Sequence, residues 1–435
     1  MSDASTASAR DAGLVRGIGS IGLTGNFLGI LFGAGIYAIP SSMAAALGPW
    51  AALAYLGCAL AVGATMICFA EAAARVPTSG GPYGFVAAAF GPWWGFVTGA
   101  LIWASSVLAA GGTVAASADA AALLWPPLKE PALRGAAILG WALLLMAING
   151  AGVGIMARFV ASFTFVKLVP VLIFLGVGVI WLDPGNLALP LAAGHADIGR
   201  AAILGFFLFT GLETALAVGG EVRDPSRTIP RAMGLALLLA ALLSIAIHLV
   251  AAGLLGDALG ASATPLADAM ARISPGLQWL LVIGTIGSML GFSVCDALSS
   301  PRTLFAFARD GLLPRTFGRL HATRHTPVAA IVAHGAVVAL LAITGSFAGL
   351  VALSSLLVVA VYILGTLAAL RLRRGQVALA GPVTATRWLW PAAAASLGAM
   401  LWLTAQSTRD EAFAIAAFLG VVALVYALRR RAPAA

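Results

Sequence analysis

Phe32-Gly33-Ala34-Gly35-Ile36-Tyr37, closed by Pro40, and Phe207-Leu208-Phe209-Thr210-Gly211-Leu212-Glu213 decide how this chain folds. Each lies inside an apolar run long enough to cross a bilayer, and each carries glycine where a spanning helix should be continuous. Unwound backbone cannot face lipid, because every unpaired N–H or C=O there is costly, so it must be buried or line a cavity. The two stretches are read as broken helices that form the two halves of one binding site at mid-membrane depth. Half-helix N-termini favour a carboxylate, and carbonyls freed by unwinding favour an ammonium. That pair of poles matches an α-amino acid.

Composition supports a membrane setting for both stretches. Of 435 residues, 61% are hydrophobic and 9% charged, against about 25% charged in a soluble domain. So little charge cannot cover a water-facing surface. Allowing about 20 apolar residues per helical crossing, the chain reads as twelve spans near 18–46, 47–75, 84–118, 134–151, 155–182, 198–220, 231–255, 275–308, 327–345, 348–371, 387–405 and 411–429. With the N-terminus in the cytoplasm, nineteen Lys and Arg fall on the inner side. Only Lys129, Arg134, Arg200, Arg272 and Arg409 fall on the outer side. That bias is the positive-inside signature, and it places both termini in the cytoplasm. The net charge of +9 is thereby accounted for by orientation and needs no nucleic-acid partner.

The polar N-terminal stretch has no apolar segment before a cleavage site and reads as a short tail rather than a signal peptide. Cys58, Cys68 and Cys295 all lie in apolar runs, so no disulfide framework is expected. No metal-ligand spacing and no phosphate-binding Gly-x-x-x-x-Gly-Lys occur, so neither a metal nor another cofactor is expected. No loop is long enough for a soluble domain.

Spans 1–5 and 6–10 each begin with one of the glycine-broken segments. Five is odd, so the second set enters from the opposite face, and the repeats are inverted. Interrupted helices at corresponding repeat positions mark the binding site of secondary transporters. The chain divides into a cytoplasmic tail (1–16), a first repeat (17–182), an inverted repeat (183–372) and two further helices with a cytoplasmic end (373–435).

Gly33-Ala34-Gly35-Ile36 with Pro40 resembles the first-helix signature of the amino acid–polyamine–organocation superfamily. The sixth-helix stretch Phe206 to Glu213, continued by Glu221-Val222-Arg223-Asp224-Pro225-Ser226-Arg227-Thr228-Ile229-Pro230-Arg231, is similar to that family's helix 6 and following loop. Pro77-Thr78-Ser79-Gly80-Gly81-Pro82-Tyr83 resembles its loop between spans 2 and 3. Ala308-Arg309-Asp310-Gly311-Leu312-Leu313-Pro314 resembles the stretch after span 8. The resemblance implies an all-α membrane fold of five plus five helices with helices 1 and 6 broken, two added C-terminal helices, and alternating access. It implies substrate contacts at Ile30, Gly33, Ala34, Gly35, Ile36, Phe207, Phe209, Thr210 and Gly211, with Phe207 as an aromatic gate. Some eukaryotic relatives tether a subunit through an extracellular cysteine. No cysteine lies outside the spans here, so no disulfide-linked subunit is expected.

Four residues stand out as coupling or gating candidates. Lys167 is the one basic residue at mid-span, in a chain with two lysines among 25 basic residues. A buried lysine must pair or titrate, and arginine practically cannot titrate. By resemblance, a lysine here stands where sodium binds in sodium-coupled relatives, which argues for proton coupling or sodium-independent exchange. Glu213 reads equally as a proton site and as a carboxylate bonded to unwound backbone. Asp296 reads as a coupling group or as the partner of a nearby Arg or Lys. By resemblance to the family's helix 8 pattern, Ser299, with Ser300, is a candidate partner of Lys167. Glu71 and Arg75 form an i, i+4 pair. His248 and His334, lone histidines within spans, read as packing residues ahead of a role in proton transfer.

The expectation is a secondary active transporter of amino acids in the inner membrane. A neutral or small substrate is favoured over a cationic amino acid or polyamine, with proton coupling or sodium-independent exchange. A transport-dead sensor of the same fold is the rival reading. No nucleophile, metal or acid–base pair supports an enzyme.

Overall fold

The computed structural model describes residues 19–31, 33, 35–76, 81–152, 167, 169–188, 197–216, 222–375 and 386–431. The chain is all-helical among these. Seven helices are long and apolar enough to cross a membrane, and five shorter apolar helices accompany them.

The first apolar run is broken as its glycines demand. α1 (Ser20–Leu31) stops before Gly33, and α2 (Gly35–Leu47) resumes after it. Pro40 lies inside α2. It has no N–H to give to the carbonyl of Ile36 four residues back. α3 (Ala51–Arg75) follows a single 3₁₀ turn over Gly48–Trp50. Glu71 and Arg75 pair at 2.7 Å on its last turn.

The run expected at 84–118 is two helices, α4 (Pro82–Phe90) and α5 (Pro92–Leu124). Gly91 between them has φ +96°, a conformation glycine adopts without strain, and Pro92 opens the next helix at its first turn. α6 (Pro131–Ala151) and α7 (Val169–Trp181) follow. Then come α8 (Ile198–Phe207), α9 (Leu212–Ala215), α10 (Pro225–Leu255) and α11 (Pro265–Ala271). Pro301 divides the eighth apolar run into α12 (Pro275–Ser299) and α13 (Pro301–Arg309). The chain ends in α14 (Val328–Thr344), α15 (Phe347–Arg374), α16 (Leu389–Ala405) and α17 (Arg409–Arg431).

Burial ranks the long helices. The most apolar stretch of α5 is 72% buried and that of α17 only 6%, so α5 is central and α17 peripheral. α5 packs against α12, α14 and α15, and α3 packs against α10 and α16. Small residues allow these approaches, as is usual between membrane helices. A Cβ on Gly365 of α15 would lie 2.3 Å from the Phe69 ring of α3. Where α3, α15 and α16 meet, the hydroxyls of Thr65, Thr366 and Ser396 bond to one another at 2.7 and 3.1 Å.

The two broken helices cross-pack. α8, before the second break, packs on α2, after the first, and α9, after the second break, packs on α1, before the first. Two broken helices running antiparallel make that pattern of contacts. At one end, the 3₁₀ segment Gly256–Ala261 closes over α2, where Ser41 Oγ donates to the Gly260 carbonyl at 3.4 Å.

Candidate functional site

Sequence explains where the second break falls. Asp197 caps α8 by accepting from the Arg200 N–H at 2.8 Å, as an N-cap carboxylate should. After Phe207 the chain tightens into i→i+3 bonds: Leu208 to Gly205, Phe209 to Phe206 and Thr210 to Phe207, at 3.0–3.2 Å. Gly211 then takes φ +102°, a region most L residues avoid. Its N–H would be orphaned inside an apolar bundle. Both carboxylate oxygens of Glu213 accept from it at 3.0 Å, and Tyr362 of α15 donates its hydroxyl to Oε2 at 2.8 Å. Glu213 is only 3% exposed. Its carboxylate therefore joins the break in one helix to the face of another.

The first break abuts the second. A Cβ on Gly35 would stand 2.7 Å from Leu208 and 3.4 Å from Phe207. The Gly33 carbonyl accepts from Ser288 Oγ of α12 at 3.3 Å. Tyr37 donates its hydroxyl to the Lys167 carbonyl at 2.9 Å. The side chain of Lys167, 2% exposed, lies within electrostatic reach of Cys295 on α12. α2, the segment before α7 and α12 thus converge on Lys167.

Phe207, Thr210, Gly211, Glu213, Asp296 and Ser299 line one cavity of about 80 Å³, with Ser105 and Ser106 of α5 and Cys295 opposite. Ser299 is the exposed residue of this lining. Gly33, Gly35 and Ile36 are buried but do not line this cavity, and Phe209 is buried away from it. Ala34 and the side chain of Ile30 lie outside the described residues. Gly35→Val is expected to push Leu208 and Phe207 toward the cavity, costing about 1–3 kcal/mol of stability and weakening substrate binding. Thermal unfolding with and without substrate measures both effects.

Asp296 has partners that sequence did not supply. Ser300 donates to Oδ1, and His334 of α14 meets Oδ2 at 2.8 Å. The expected Arg or Lys partner is replaced by this histidine, which had read as a packing residue. Ser299 and Ser300 bond to acceptors of their own helix: Ser299 to the Cys295 carbonyl and Ser300 to the Asp296 carboxylate. The one available signal for the pair was that an acid and a histidine each sit deep in an apolar run, where both are costly without a partner.

The amino acid permease family profile matches residues 18–428. An uncharacterized transporter of Mycobacterium tuberculosis (strain ATCC 25618 / H37Rv) is 34% identical over 353 residues, covering 79% of this chain and 78% of that one. The branched-chain amino acid permease BcaP of Bacillus subtilis (strain 168) is 25% identical over 402 residues, covering 86% and 84%. A vacuolar cationic amino acid transporter 2 of Arabidopsis thaliana is 30% identical over 362 residues, covering 76% and 56%. These relatives are transporters and not enzymes. With its apolar helices and its two broken helices packed crosswise, this multi-pass membrane chain belongs to the amino acid permease family of the amino acid–polyamine–organocation superfamily.

Proposed function

We propose that this protein is a secondary active transporter of amino acids, working by alternating access in the inner membrane with both termini in the cytoplasm. The observation that carries the reading is the crosswise contact of the two broken helices, α8 on α2 and α9 on α1. It supports two repeats of opposite orientation, 17–182 and 183–372, within a twelve-span chain. Ser299, the exposed residue of the cavity lining, lies toward the Arg302 and Arg309 end of the eighth apolar run. By the positive-inside bias this is the cytoplasmic side, while the Gly256–Ala261 segment covers α2 at the opposite side.

A neutral or small amino acid is the favoured substrate. The cavity of about 80 Å³ is small. Both carboxylates that line it already hold partners, Glu213 with Gly211 and Tyr362, Asp296 with Ser300 and His334. A cationic amino acid would have to displace these bonds to find its counter-charge. Lys167, beside the first break, supports sodium-independent exchange or proton coupling.

The test is uptake into reconstituted vesicles. Labelled neutral amino acid should accumulate or exchange, and uptake should persist when sodium is replaced by potassium. Collapse of uptake without sodium would overturn the coupling assignment. A preference for arginine or lysine would overturn the substrate assignment. Substrate-induced thermal stabilisation without any flux would identify a sensor.

A further inference from the structure

Behind the substrate cavity lies a second, smaller one between α5, α6, α12 and α14. Its volume is about 20 Å³, room for about one water molecule. Asp296 lines both cavities, so its carboxylate stands in the wall between them. His334 approaches it from the far side, with Nε2 at 2.8 Å from Oδ2, and the two side chains are 3% and 5% exposed.

Two polar atoms on side chains lining the small cavity, His334 Nδ1 and Asn149 Oδ1, have no partner among the described residues. The orientation of Asn149 is set by its Nδ2, which donates to the Ala297 carbonyl. That leaves Oδ1 as an acceptor. An ionised Asp296 can only accept, so Nε2 is then the donor to it and Nδ1 is the free ring position for a second proton. The cavity has room for about one water, and a polar molecule there would give these atoms the partner they lack among the described residues.

We propose that Asp296 and His334 form a proton-storing pair in the wall of the substrate cavity, and that loading this pair sets the pH dependence of transport. The proposal rests on the transport reading above and names its proton site. Loading adds one proton at His334 Nδ1 and takes the pair from net −1 to neutral. Unloading returns that proton to water, and only this N–H bond forms or breaks. The unloaded charge faces the substrate cavity through Asp296 and repels the carboxylate of an amino acid there. Substrate binding and exchange should therefore rise as pH falls.

Other titratable groups near the pair are Cys295 on the same helix, Lys167, which interacts with Cys295, and Glu213 across the substrate cavity. α13 brings Arg302, next to the cavity-lining Pro301. Among the described residues lining either cavity, α5 contributes the neutral Ser105 and Ser106, and α6 the neutral Trp141 and Asn149.

The experiment compares wild type, His334→Gln and Asp296→Asn between about pH 5.5 and about pH 8, the range in which imidazoles titrate. The readouts are initial uptake into vesicles and stabilisation of the purified protein by the same amino acid. Glutamine keeps a donor for Asp296 without a titrating ring. Wild type should gain at least about five-fold from high to low pH, a modest coupling by general experience, and His334→Gln should be flat. A wild-type profile in His334→Gln, or no pH dependence in wild type, would overturn the pair. If His334→Gln does not fold, Asp296→Asn is read the same way. No flux, but pH-dependent stabilisation that His334→Gln abolishes, would sink the transport reading and leave the pair standing.

Discussion

Lys167→Ala is expected to lower the initial rate of amino acid uptake in reconstituted vesicles by at least about ten-fold, equivalent to about 1.4 kcal/mol. The fold should survive. Tyr37 bonds to the Lys167 carbonyl and not to its side chain, so the tie between α2 and the segment before α7 persists in the variant. What is lost is a buried amine within electrostatic reach of Cys295 on α12. Lys167→Arg should also fail, because arginine keeps its charge at any working pH and needs a wider space. Uptake by Lys167→Ala at the wild-type rate would remove Lys167 from the mechanism. Loss of uptake together with a large fall in unfolding temperature would assign it a structural role only.

Glu213→Ala is expected to abolish uptake and also to destabilise the protein. It strips partners from the Gly211 N–H and the Tyr362 hydroxyl. Each buried group left unsatisfied costs about 1–3 kcal/mol, and both lie where the backbone is already unwound. Glu213→Gln separates two roles. Its amide oxygen can still accept from Tyr362 or Gly211, so a structural role predicts partial recovery of both stability and uptake. A proton-carrying role predicts near-wild-type stability with uptake still lost. Thermal unfolding of the purified variants, set beside vesicle uptake, distinguishes the two.

What could be read from the chain followed from local chemistry. Glycine and proline inside an apolar run mark a break wherever they fall, and the breaks at Gly33–Gly35 and after Phe207 could be placed to within a residue or two. The same signal was present at Gly91-Pro92 and at Pro301, where continuous runs proved to be two helices each. Hydropathy had outweighed it there, since both halves are apolar.

The candidate site was less legible because its bonds are long-range. His334 and Asp296 are 38 positions apart, and Tyr362 and Glu213 are 149 apart. Nothing local to Tyr362 distinguishes it from a core aromatic. Only the docking of α15 beside the second break gives its hydroxyl a carboxylate to bind. Tyr37 poses the same difficulty in another form, since its partner is a backbone carbonyl, and every residue has one.

The exposure of Ser299 in the cavity lining has a practical corollary. Of the protein's three thiols, Cys58 and Cys68 are buried, while Cys295 is partly exposed and lines the cavity. A sulfur at that position meets solution when its side of the cavity is open and is walled off when that side shuts. The natural sequence therefore already carries one accessibility reporter at the substrate path, with a silent background from the other two thiols. The proposed alternating access can therefore be tested by the labelling rate of a single native atom, with no label-bearing residue introduced.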